Sequence, residues 1–170
     1  MDAQRRRWLA ATAAIATGLP LVEAAAEETA AGKVLLSVSG NVAKRPGSDS
    51  IEFDMAALEK LPQRSFFTKT PWYAQARKFT GVLLRDLLAS VGGSGSMLKA
   101  MALNDYRVEI PVEDWTRNDM LVAYLLDDKP MAVRDRGPLL IIYPFDDKRE
   151  LRTAVHYSRA IWQLRSLEIR

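Results

Sequence analysis

Apolar positions recur with two different periods along this chain, and the changes between them divide it into elements. From Lys33 the run KVLLSVSGNV alternates and is rich in β-branched residues, which predicts a strand over 33–42 ended by Gly40 and Asn41. A loop over 44–50 is marked by Pro46-Gly47, and Ile51-Glu52-Phe53 predicts a second short strand. Asp54 is placed to cap a helix over Met55 to Lys60, which Pro62 stops. An extended segment is expected over 65–70, since Pro71 biases Thr70 away from helix, and a strand over 79–82. Leu83, Leu84, Leu87, Leu88 and Val91 then repeat at helical spacing until Gly92-Gly93 ends the run.

The second half continues in short pieces. Strands are expected over 98–103 and from Tyr106 to Ile110, joined at Asn104-Asp105, with one helical turn over 112–116. An apolar strand over 120–126 turns at Asp127-Asp128-Lys129-Pro130 toward Met131, and a charged loop over 134–137 leads to the buried strand LLIIY, ended by Pro144. A charged loop or turn of helix is expected over 146–152. Tyr157 to Trp162 then leads into a final strand carrying Leu164, Leu167 and Ile169. Many short strands interleaved with short helices predict an α+β fold with mixed sheets rather than a doubly wound one.

The start of the chain follows another logic. Arg5, Arg6 and Arg7 precede an alanine-rich apolar run from Trp8 to Val22, with small residues near Ala24 to Ala26. That pattern predicts a cleaved signal peptide over 1–26, a polar leader over 27–32 and a single domain over 33–170, so the mature protein is expected in the periplasm. Arg5 to Leu9 also fits a twin-arginine start, which would carry a folded protein across, although any secretion signal begins basic. Gly18 and Pro20 break the apolar run and argue against a retained anchor. Cleavage after Ala26 removes three arginines and two carboxylates, taking the net charge from +3 to +2 and leaving 144 of 170 residues, enough for a core without staples. The small, scattered basic excess does not favour nucleic acid as a partner.

The chain has no cysteine and one histidine, His156, which excludes thiolate metal ligands, a cysteine nucleophile and the usual zinc and iron constellations. No nucleophile elbow is visible. The pairs Asp127-Asp128 and Asp146-Asp147 sit in expected turns, where aspartate is common for backbone reasons. What remains is arginine beside aromatics near strand ends. Arg77, Arg134, Arg136 and Arg159 offer bidentate forks, while Trp72, Tyr73, Tyr106, Tyr157 and Trp162 can stack or donate a hydrogen bond, a set suited to a planar anionic ligand. The bland alternative is that these aromatics fill the core and these arginines are solvated.

The segments KFTGVLLRDLL, ALNDYRVEIPVED, LVAYLLDDKPMAVRDRGPLLIIYPFDD and YSRAIWQLRSLEI, in that order, resemble the molybdopterin-binding domain of sulfite oxidase-type enzymes, in particular the small exported versions made of that domain alone. The resemblance covers about 33–170. It implies a molybdenum-pterin cofactor in a basic pocket, with molybdopterin as the possible cofactor and a cysteine thiolate on the metal in catalytic members. Here that position falls at about Thr68 or Lys69, and neither replaces a thiolate. The leading expectation is a periplasmic binding or accessory protein whose cleft around Thr68, Lys69, Trp72, Tyr73, Arg77, Asn104, Tyr106, Arg134 and Arg136 holds a small anion, a pterin-like ligand or a partner's loop, with a membrane sensor or another periplasmic protein as partner. The alternatives are an active molybdopterin-dependent oxidoreductase with atypical metal ligation, and a structural domain with no ligand.

Overall fold

In the computed structural model, residues 32–43 and 49–170 are described. The expected signal peptide, most of the leader and the Pro46-Gly47 loop lie outside them. Among the described residues, ten strands form two five-stranded sheets. The first runs β2 (Ser50–Phe53), β1 (Leu36–Gly40), β10 (Leu164–Ile169), β5 (Met97–Ala102) and β6 (Arg107–Pro111). All its neighbours are antiparallel except β1 and β10, whose parallel register sets Ser37 opposite Ser166. The second runs β3 (Gln63–Thr70), β4 (Tyr73–Leu83), β7 (Leu121–Leu126) and β8 (Lys129–Pro130), with β9 (Leu140–Ile142) also pairing β7.

The apolar periods account for what is buried. In β5 the alternation places Leu98, Ala100 and Ala102 inside, and β10 contributes Leu164, Leu167 and Ile169 after a register shift between Leu164 and Ser166. Strands β7 and β9 read as continuous apolar runs because both faces are covered, and Leu121, Val122, Ala123, Leu140, Ile141 and Ile142 are all buried. Helix α2 (Leu84–Ser90) seats Leu84, Leu87 and Leu88 in the core, each worth about 2 kcal/mol relative to exposure. Its start is tied by the Leu84 amide donating to the Met120 carbonyl at 2.8 Å, and the Gly93 amide closes its end on the Leu88 carbonyl at 2.8 Å. Asp54 caps α1 (Met55–Glu59) by accepting from the Ala57 amide at 2.7 Å, as its position predicts.

Two expectations are corrected. The strand expected over 79–82 starts six residues earlier, at Tyr73, so β4 takes in the aromatic, basic stretch 73–78 and only Pro71 and Trp72 make the turn from β3. This part of the hairpin has exposed alanines and a glutamine instead of apolar alternation, so ladder pairing with β3 builds it and not burial. The segment leading to the last strand contains a helix, α4 (Ala154–Arg159), capped by Thr153, which accepts from the His156 amide at 3.3 Å. Helix α3 (Val112–Arg117) stands where a single turn is expected.

Residues 161–164 join the two sheets and position the site. The Ile141 amide donates to the Ile161 carbonyl at 3.0 Å, and the Leu164 amide to the Leu139 carbonyl at 2.9 Å. The Gln163 amide donates to the Arg136 carbonyl at 3.0 Å. Trp162 is therefore pinned at the seam, with the 133–137 loop on one side of it and α4 on the other.

Candidate functional site

Two clefts open on either side of Trp162. The larger, about 630 Å³, lies between β4, the β7–β8 hairpin and the 133–137 loop, and Tyr73, Arg77, Lys129, Arg134, Arg136 and Trp162 are among its walls. The smaller, about 210 Å³, is mostly apolar and is lined by Trp72, Asn104, Tyr106, Tyr157, Ile161 and Trp162, among others. The site residues expected from sequence are thus brought together in two groups. Tyr73, Arg77, Arg134 and Arg136 share the basic cleft; Trp72, Asn104 and Tyr106 share the aromatic one.

Thr68 and Lys69 line neither of these clefts. Thr68 is fully buried, and its hydroxyl accepts from the Asp146 amide at 3.2 Å. Asp146 in turn accepts from the Lys69 amide at 2.9 Å and pairs with Arg152 at 3.1 Å. These contacts stitch β3 to the segment after Pro144 and leave the Thr68 oxygen engaged in a backbone bond. Asp146 acts here as a turn and tie residue. His156 likewise meets Thr153 Oγ1 through Nδ1 at 2.9 Å, within its own helix cap.

Arg136 is the centre of the basic cleft. Its guanidinium lies 4.4 Å from the Trp162 ring centre and 5.0 Å from that of Tyr73, distances at which the ring quadrupole attracts the cation. Its Nη1 donates to the Tyr73 hydroxyl at 3.3 Å. Its backbone is left-handed, with φ 74°, and Gln163, which bonds to it, has φ 52°. Non-glycine residues in that region cost of order 1 kcal/mol or more, and such strain gathers at ligand sites. Arg136 Nε and Trp162 Nε1 are buried donors with no partner among the described residues. A buried unsatisfied donor is expensive, so an acceptor supplied from outside the chain would be stabilised there.

The other cations differ in freedom. Arg134 is 89% exposed and meets Asp135 at 3.5 Å. Arg77 lies over the Tyr73 ring, 5.0 Å from its centre, and its Nε donates to Asp127. The Lys78 amide and then the Arg77 guanidinium hold the Asp127 carboxyl below the usual carboxylate range. In the aromatic cleft, Trp162 and Trp72 meet edge to face at 4.9 Å, Trp72 and Tyr157 at 6.3 Å, and the Tyr106 hydroxyl donates to the Ser158 carbonyl at 3.4 Å.

Behind α4 lies a polar knot outside the expected site. Asp114 is buried and accepts from the Tyr143 hydroxyl at 2.7 Å and from Arg159 Nη1 at 2.9 Å. Burial, then the bond to Asp114, push the Tyr143 hydroxyl's pKa up. Arg159 is thus a clamp for α4, not a cleft cation. Trp162 carries a signal in the sequence as an aromatic among arginines, whereas Gln163 and Lys129 carry none that separates them from surface polar residues.

A family model described as an oxidoreductase molybdopterin binding domain matches residues 27–145. Among solved structures, the sulfane dehydrogenase SoxCD from Paracoccus pantotrophus has the same fold, with a TM-score of 0.58 at 18% sequence identity. The match covers 79% of this chain and 37% of that one, so this chain spans well under half of the larger protein's length. No curated protein matches. A cofactor of the molybdopterin type has two parts, and the residues suit them unequally. The Arg136 cluster, with its orphaned donors, fits an anionic, flat organic group. For the metal end the chain has no cysteine to offer, and the Thr68 hydroxyl accepts from the Asp146 amide.

Proposed function

Because the chain belongs to the oxidoreductase molybdopterin-binding domain family, we propose that it is a periplasmic binding or accessory protein that holds a small anionic ligand of the pterin type beside Arg136. The chain is an oxidoreductase-like molybdopterin-binding domain. The observation that carries the proposal is two buried donors, Arg136 Nε and Trp162 Nε1, without an acceptor among the described residues, where Arg136 lies over the Tyr73 and Trp162 rings in a left-handed backbone. A phosphate or ring carbonyl is the kind of acceptor that such donors recognise. The reading has the protein exported and meeting a partner, such as a membrane sensor, that responds to the loaded form.

Calorimetric titration of the 33–170 chain with a pterin phosphate tests it. Binding is expected in the wild type, and Arg136→Ala should weaken it at least about thirtyfold, the loss of a charge-assisted bond and a stacked cation. Equal affinity in a folded Arg136→Ala protein would sink the reading. A chain that gives neither heat nor a thermal shift with the ligand is a structural domain, since a true ligand must stabilise the fold. The oxidoreductase reading is favoured by the family and the twin-arginine-like start. It requires near-stoichiometric molybdenum in protein purified from a cofactor-competent host, and a metal content below about a tenth of that would remove it.

A further inference from the structure

The cations of the basic cleft are not equally available to a ligand, and the difference is built into one hairpin. Tyr73 and Arg77 stand between two hollows: the Arg136 cleft, and a shallow shelf formed by 73–77 and Asp127. Arg77 Nε donates to one Asp127 oxygen on the shelf side, while the other Asp127 oxygen accepts from the Lys78 amide at 2.9 Å. Asp128 engages Lys78 Nζ at 2.8 Å. Both aspartates have positive φ, 48° and 62°, so the β7–β8 turn aims them back at β4 instead of outward. Asp127 is thus tied to β4 through both carboxylate oxygens.

We propose that Asp127 is a specificity-determining residue of the basic cleft: by occupying Arg77 as an internal counter-ion, it withholds that guanidinium from the ligand and lowers the negative charge the cleft accepts. The proposal rests on the cleft around Arg136 being the ligand site. Two consequences follow from Coulomb's law. The carboxylate, standing on the shelf side, cancels one cation of the cleft wall, so its removal should favour phosphorylated ligands and leave uncharged ones alone. The substitution is also gentle on the fold. Asparagine tolerates the left-handed backbone, and its amide oxygen can still accept the Lys78 amide.

The test compares Asp127→Asn with the wild type on a pterin phosphate and on the same pterin without its phosphate. Asp127→Asn is expected to bind the phosphate ester about tenfold tighter, the worth of one recovered charge-assisted bond, and the neutral pterin with unchanged affinity. Adding Arg77→Ala to Asp127→Asn should cancel the gain, and Asp119→Asn, which frees the distant Arg85, should give none. Unchanged or weaker binding of the ester by a folded Asp127→Asn protein overturns the proposal, as does an equal gain with the neutral pterin. Wild-type binding that depends on Arg136 yet ignores Asp127 defeats this proposal alone. Absence of Arg136-dependent binding in both proteins defeats the site reading and this inference with it.

Discussion

Asp114 shows how much a single side chain's direction decides. Glu113 and Asp114 both lie in the first turn of α3, and nothing in the string VEDWTR says which carboxylate faces inward. The fold turns Asp114 toward Tyr143 and Arg159, where its charge is compensated by two donors. The consequence is measurable through pH. Tyr143's pKa is raised by burial and by Asp114, so the folded state keeps a proton that the unfolded chain releases above about pH 10. The stabilisation is therefore complete below that pH and is lost as pH climbs beyond it, by about 1.4 kcal/mol per pH unit for one group. Tyr143→Phe should cost about 1 kcal/mol at pH 7 through the lost hydrogen bond, and should flatten the decline between pH 10 and 11. Denaturant melts at pH 7, 10 and 11 check this; an alkaline slope identical in the two proteins would contradict it. Trp162 stands between the two outcomes: its chemistry is visible in the sequence, but its place between two clefts depends on hydrogen bonds from Ile141 and Leu164 that no local pattern encodes.

At the scale of elements, periodicity carried most of the fold. The five leucine and valine positions of 83–91 are inside, and the alternation in β5 and β10 matches their buried faces. The misses have physical causes. Residues 73–78 form strand without an apolar face, because β3 supplies the ladder, and α4 has only six residues, too few to show a helical period. The consequence for the site is large, since a strand fixes Tyr73 and Arg77 on the cleft wall more firmly than a loop would. Gly81 is the most demanding position of that strand. It sits where the β4–β7 register shifts, and an added methyl would land on the Val122 carbonyl oxygen and 2.6 Å from Ala123 Cα. Gly81→Ala should therefore cost about 3 kcal/mol and lower the melting temperature by about 10 °C. A melt within about 2 °C of wild type would mean that the two strands separate more easily than their pairing implies.

At the scale of the whole molecule, the last strand decides whether there is one body or two. β10 lies between β1 and β5, so without it the first sheet has two unconnected edges, and the residues just before it clip that sheet to β9 of the second. Its parallel partner β1 sits at the other end of the described chain, Ser37 opposite Ser166. A pairing of such sequence separation brings a loop-closure cost before its contacts contribute. The order of strands in space is what sequence pattern could not supply, because alternation marks a strand without naming its neighbour. Hydrogen exchange tests the consequence directly. Amides of β10 that bond to β1 and β5 should open only with global unfolding, as slowly as the β7 amides in the centre of the other sheet, while Arg134 to Gly137 exchange early. A chain ending at Gln163 should lose its cooperative melt, since Leu36, Val38, Leu98 and Ala100 would face water along two open edges. If the shortened chain instead melted cooperatively and β10 exchanged as fast as the 134–137 loop, the strand would be an ornament on a core already closed, and the seam that holds Trp162 between the clefts would have to be built by β9 alone.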